Sequence, residues 1–331
     1  MFDTYSATVI IIIIALIFDF LNGFHDSANS IATVVVSKTL TPMQAVILAA
    51  SANFIGFFTG GVAVAKMIGK GVVAVDNVTL SLLFATLLGA VIWNIITWYY
   101  GLPTSSSHAL IGGLIGAGVA SHGFKSIIIG SVLKIFAFIF IAPALGLIGA
   151  VIFTVIVLMF FRKSVPKTAT AIFKRLQLAS AFFCSYGHGI NDAQKTMGII
   201  ALAMFVGGLT KEFSVQTWVI FSCHASIAIG TLLGGWRIVK TMGTSITKVG
   251  PMEGFCAETS SAVILIATSH FGIPVSTTHV IAGSIMGVGT VENIYNVRWI
   301  TVRKILLAWI FTIPFTALCS AIAYLAIMWI E

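Results

Sequence analysis

The chain has 331 residues, of which 58% are hydrophobic and only 8% charged, against about 25% charged in a soluble domain. That composition excludes a soluble globular protein and marks an integral membrane protein. Its net charge of +8 is not a nucleic-acid signal, because the basic residues fall in loops between apolar runs, mostly on one side of the membrane. Apolar runs of 18 or more residues recur, and the ten-residue alternation of a β-barrel is absent, so the expected fold class is an all-α polytopic membrane protein.

Hydrophobic segments are predicted near 7–36, 43–65, 78–100, 104–120, 126–161, 179–206, 215–235, 253–271, 274–290 and 302–330. The first lacks a basic leader and is not read as a cleaved signal peptide. It ends in FDFLNGFHDSANS, Phe18–Ser30, where Asp19, Asn22, Gly23, His25, Asp26 and Asn29 are residues that lipid rejects. Gly23 is expected to let the helix unwind there, and Asp19 to join the break, so that freed backbone and side-chain oxygens can bind an ion. The sixth segment carries a second copy, YGHGINDAQKTMG, Tyr186–Gly198, in which Gly189 matches Gly23 and Asp192 matches Asp26.

The fourth and ninth segments are short and Gly-rich, and are expected to be half-helices or re-entrant segments. They align without a gap: GLPTSSSHALIGGLIGAGV (101–119) on GIPVSTTHVIAGSIMGVGT (272–290), a register that also carries Pro143 onto Pro314. The chain is therefore expected to divide into two membrane repeats, 1–161 and 179–331, joined by the basic linker 162–178. Lys38, Arg162, Lys163, Lys167, Lys174, Arg175, Arg237, Lys240, Lys248, Arg298, Arg303 and Lys304 gather on one side of ten assumed crossings, and Lys66, Lys70, Lys125 and Lys211 on the other. This bias places the linker in the cytoplasm and both termini outside. Five crossings per half give inverted topology, the arrangement that puts a site at the midplane.

In PTSSSH and PVSTTH, proline followed by hydroxyl residues is a helix start. At membrane depth such a start offers free N–H groups, a positive dipole end and hydroxyl donors, an anion site that needs no arginine. Ser105, Ser106, Ser107, Ser276, Thr277 and Thr278 are the candidate ligands of a tetrahedral oxyanion, with Asn29 and Asn191 beside them. The alternative is ordinary capping and close packing by small residues.

Asp26 and Asp192 suit the opposite charge: cation sites next to an anion site, taking up H⁺ or binding Na⁺ with the side chains of Asn22, Asn29 and Asn191. His25, beside Asp26, can titrate near neutral pH. Glu258, in CAETSSA, is a further cation or gating carboxylate. Lys195, one turn past Asp192, pairs with it or reaches the anion. The bland reading for each of these groups is a buried, hydrogen-bonded structural side chain.

No phosphate-binding Gly-x-x-x-x-Gly-Lys-Ser/Thr loop and no Gly-x-Ser-x-Gly elbow occurs, so neither an ATPase engine nor a hydrolase is expected, and no cofactor. Cys184, Cys223, Cys256 and Cys319 stand singly in apolar segments and read as buried thiols. A passive anion channel is the alternative from another class, disfavoured by the acidic groups in the pathway.

With these residues in hand the chain resembles the PiT family of inorganic phosphate transporters over both halves. The family's twice-occurring Gly-x-Asn-Asp signature stands here as GFHD (Gly23–Asp26) and GIND (Gly189–Asp192), with PTSSSH and PVSTTH as the matching half-helix starts. The resemblance implies cation-coupled phosphate symport in the cell membrane, with Asp26 and Asp192 essential, and a homodimer embedded in lipid. Two departures bear on the cation. His25 replaces the usual Asn, a form associated with bacterial members that are proton-coupled and carry metal–phosphate, and Asn53 stands where sodium-coupled relatives often have Glu. Both favour H⁺ over Na⁺. Some relatives move sulfate, which makes sulfate the alternative substrate, although a site rich in acceptors such as Asp favours HPO₄²⁻, which can donate a hydrogen bond.

Overall fold

A computed structural model describes residues 3–163 and 165–330; Met1, Phe2, Ser164 (in the expected linker) and Glu331 lie outside the described residues. Twelve α-helices span them: α1 Thr4–Val36, α2 Pro42–Thr59, α3 Ala63–Gly71, α4 Leu80–Tyr99, α5 Ser106–His122, α6 Ile129–Phe161, α7 Pro166–Val206, α8 Thr217–Leu233, α9 Trp236–Thr244, α10 Pro251–His270, α11 Thr277–Glu292 and α12 Trp299–Ile330. Among the described residues the only β pairing is an isolated bridge between Val73 and Ile127. The expected helical class holds.

Three expectations about the elements change. First, α1 and α7 run unbroken through both Gly/Asp motifs. Their glycines permit close approach: a Cβ on Gly23 would lie 2.1 Å from the Ile227 carbonyl oxygen of α8, and one on Gly189 2.7 Å from the Asn53 Cα of α2. Second, most of the expected linker is helix, because Pro166 at the N-terminus of α7 starts a helix that carries Lys167, Lys174 and Arg175. Third, α3 and α9 are additional nine-residue helices. The segment predicted at 43–65 ends as a helix at Thr59, and α9 follows α8 at a 74° bend.

Five helices (α1, α2, α4, α6 and α12) are long and apolar enough to cross a membrane, and α8 with α9 makes a sixth as a bent span. The ten crossings expected from hydrophobic runs exceed that number. Helices α5 and α11, with 17 and 16 residues, are shorter than a full span, while α7 carries the second polar motif and α10 carries Glu253 and Glu258, which lower their hydropathy. Large apolar side chains on α6 and α12, among them Phe140, Ile148, Phe311 and Leu318, lie exposed on the outside of the bundle, as the hydrocarbon of a bilayer requires.

The helix pairings repeat when the two sets of six are exchanged. Contact of α1 with α8 is matched by α7 with α2, α1 with α9 by α7 with α3, and α5 with α12 by α11 with α6. Helices α1 and α7 are antiparallel: Ser37, after the end of α1, donates to Gln177 near the start of α7 (2.8 Å), while Thr196, late in α7, donates to Asp19 in α1 (2.9 Å).

The apolar core is split by this pair. One cluster surrounds Ile11, Ala15 and Phe18 of α1 with Ile199, Ile200 and Leu202 of α7. The other surrounds Ala28, Ile31 and Val34 of α1 with Phe173 and Ala181 of α7. The polar motifs of both helices lie between the clusters.

Candidate functional site

Two helix starts reach this polar layer. Ser105 and Ser276 are the N-caps of α5 and α11, accepting from the backbone N–H groups of His108 and His279 at 3.2 Å each. With the caps made, the backbone N–H groups of Ser106, Ser107, Thr277 and Thr278 begin their helices without an intrahelical acceptor, at the positive dipole ends. The starts meet: Thr278 Oγ1 donates to the Thr104 carbonyl (3.2 Å), and the rings of His108 and His279 pack 4.7 Å apart. Trp309 of α12 locks the first start by donating to the Pro103 carbonyl (2.8 Å).

Against them stand the two aspartates, each with a basic neighbour. His25 Nδ1 is 2.7 Å from Asp26 Oδ1, and His25 Nε2 is 3.2 Å from Thr97 Oγ1. Thr97 directs its single hydroxyl proton to the Trp93 carbonyl (2.9 Å), so toward His25 its oxygen is an acceptor. His25 thus bridges Asp26 on α1 and Thr97 on α4. Asp192 Oδ1 accepts from the Lys195 ammonium. The same ammonium donates to Ser107 Oγ on α5 and to the Val275 carbonyl before α11 (2.9 Å). Lys195 therefore pairs with Asp192 and ties it to the two helix starts.

The hydroxyls complete the layer. Ser106 Oγ donates to Asn22 Oδ1 (2.7 Å) and lies 3.3 Å from Asp26 Oδ2, and Thr277 Oγ1 donates to Asp192 Oδ2 (3.1 Å). Asn29 Nδ2 donates to Thr278 Oγ1 (2.9 Å), while Asn29 Oδ1 and both side-chain polar atoms of Asn191 are buried without a hydrogen-bond partner among the described residues. Asp26, His188 and Asp192 each bring one ligand atom to within 4.8 Å of the others, a spacing suited to a single cation. All three are at most 2% exposed.

Sequence reading missed His188. The register that aligns Gly23 with Gly189 puts His188 opposite Asn22, and that was the available signal. Its Nε2 is 3.3 Å from Asp192 Oδ2 and its Nδ1 3.3 Å from Asn53 Oδ1. Glu258 is not part of the cluster. It accepts from Thr33 of α1 and from Gln177 and Ser180 of α7, about two to three turns before His188 toward the start of α7. Asp19 also stays apart, held by Thr196.

A buried layer of paired charges, hydroxyls and helix N-termini inside an apolar helical bundle defines a polytopic membrane transport protein. A family profile described as "Phosphate transporter family" matches residues 22–320. The chain is 51% identical over 317 residues to a probable low-affinity inorganic phosphate transporter of Rhizobium meliloti, covering 96% of this chain and 95% of that protein. It is 43% identical to a protein of the same description from Bacillus subtilis, covering 96% of each. A solved structure titled "The sodium-dependent phosphate transporter" superimposes with a TM-score of 0.91 at 24% identity, covering 98% of this chain and 100% of that one, and so shares the fold. The chain belongs to the phosphate transporter family, a family of permeases and not of enzymes.

Proposed function

We propose that this protein imports inorganic phosphate by symport with a cation, H⁺ in preference to Na⁺, with metal–phosphate as a form in which the anion is carried. The observation that carries the reading is the convergence of two helix starts on two buried aspartates, Asp26 hydrogen-bonded to His25 and Asp192 ion-paired with Lys195. With each carboxylate matched by a base, a phosphate dianion meets free N–H groups and hydroxyls rather than uncompensated negative charge. Ser106, Ser107, Thr277 and Thr278 are its ligands in this reading, with the caps Ser105 and Ser276 supporting and Asn29 and Asn191 supplying their unpartnered polar atoms. A phosphate O–H donates to Asp26 or Asp192; sulfate has no such proton. The cation occupies Asp26, His188 and Asp192.

The antiparallel α1 and α7 and the exchanged helix pairings support two inverted repeats, 1–161 and 179–331, that alternate access around the layer. The basic start of α7 then faces the cytoplasm, both termini face outward, and the working unit is a dimer in the cell membrane. The test is uptake of radiolabelled phosphate into liposomes holding the purified protein, under an imposed proton gradient and then a sodium gradient, with excess sulfate and with a divalent-metal chelator. The reading expects proton-driven accumulation indifferent to sulfate. Sodium-driven accumulation overturns the proton assignment, sulfate competition the substrate, and equilibration without accumulation the symport.

A further inference from the structure

Asp19 is a carboxylate that the phosphate site does not use. It is fully buried on α1, its Oδ1 accepts from Thr196 Oγ1 at 2.9 Å, and its Oδ2 has no hydrogen-bond partner among the described residues. A buried carboxylate with one oxygen unmatched is costly as an anion and comfortable as an acid. Its position is specific. Asp19, Asp26 and Thr33 are spaced i, i+7, i+14 on α1, so they share one face, with about 10 Å of axial rise between successive members. Asn22 and Asn29 lie on the same stripe, and Thr33 donates to Glu258. One face of α1 thus lines up three buried carboxyl positions: Asp19 toward the helix start, the Asp26–Asp192 layer, and Glu258 beyond it. Glu258 accepts from three side chains, whereas Asp19 has one.

Thr196, the one partner of Asp19, stands one turn beyond Asp192 on α7. Asp192 and Lys195 on α7 and Cys223 on α8 are the titratable groups that interact with Asp19 electrostatically.

We propose that Asp19 is a proton-relay residue on the side of the site where α1 begins. It takes a proton onto Oδ2 from that side, forming an O–H bond. It then releases the proton past Thr196 to the Asp192 carboxylate, so one O–H bond breaks as the other forms. This rests on the proton-coupled reading above. Asp19 acts on the coupling ion, not on phosphate, so it governs the pH response and the use of the gradient while leaving the substrate KM to the hydroxyl layer.

The test uses the full-length protein in liposomes and compares wild type, Asp19→Asn and Asp19→Glu in two assays. Proton-gradient-driven phosphate uptake over a range of outside pH needs the relay; phosphate–phosphate exchange at equal pH needs only the binding site. Asp19→Asn is expected to lose about tenfold or more of gradient-driven uptake, the lower end of what a positioned proton-transfer group supplies. It should also flatten the pH profile and keep exchange and KM within about twofold of wild type, and Asp19→Glu should restore the profile. Unchanged gradient-driven uptake in Asp19→Asn overturns the relay alone. Exchange lost in Asp19→Asn and not restored by Asp19→Glu overturns it in favour of a packing or phosphate-site role. A wild type that ignores the proton gradient while exchanging phosphate overturns the coupling reading, and the relay with it.

Discussion

Replacing Lys195 by Met removes an ammonium that touches three groups while keeping the chain's length and apolar stem. Lys195 is 2% exposed and Asp192 fully buried, so the vacated charge cannot be screened by water. Asp192 keeps only Thr277 and the contact with His188, and its charge is no longer balanced. Breaking a buried pair by removing one partner costs roughly 3–5 kcal/mol, whereas removing both charges is often near neutral. Against a total stability of about 5–15 kcal/mol, that single loss is large. At roughly 2 °C per kcal/mol for a chain of this size, Lys195→Met should melt about 6–10 °C below wild type in detergent. The double variant Lys195→Met with Asp192→Asn should recover most of that drop. Neither protein should transport phosphate, because the clamp between Asp192, Ser107 and Val275 is gone. A Lys195→Met protein that melts with wild type, or a double variant that melts below both single ones, refutes the ion-pair reasoning.

Asp26→Asn and Asp192→Asn should each abolish gradient-driven uptake while the protein still inserts; normal transport by either, with surface labelling as the insertion control, sinks the cation-site assignment. Removing the hydroxyls of Ser106 and Ser107 together should raise the phosphate KM about tenfold or more, since hydrogen bonds to charged groups are worth about 1.5–3 kcal/mol each; an unchanged KM makes them packing residues. Gly23→Ala should lower folded yield and melting temperature, because its Cβ would meet the Ile227 carbonyl at 2.1 Å; Gly61→Ala, with nothing within 4 Å, is the silent control.

Ten of the twelve helices were legible because each is a long apolar run, and the duplicated PTSSSH and PVSTTH starts were legible because proline and hydroxyls have no other reason to stand there twice. Helices α3 and α9 were not, since in nine residues only a narrow stripe is apolar: Val64, Ala65 and Ile68 in one, Ile238, Val239 and Met242 in the other. Gly23 and Gly189 misled because a glycine that unwinds a helix and a glycine that lets two helices touch are identical in sequence. The partner that decides between them, Ile227 or Asn53, is far along the chain. The same holds for Lys195 and His188, whose roles depend on which helices fold against α7. Glu258 was correctly marked as buried and acidic, but the distance along α1 that separates it from Asp26 follows only from the packing of α10.

The claim at the centre is that phosphate seats between the starts of α5 and α11, against Asp26 and Asp192. The most direct measurement is an experimental structure of the protein with arsenate, located by its anomalous signal. The predicted result is one arsenic peak with oxygens in hydrogen-bond reach of Ser106, Ser107, Thr277 and Thr278. A peak elsewhere, with those four side chains still bonded to Asn22, Lys195, Asp192 and Thr104, would contradict it.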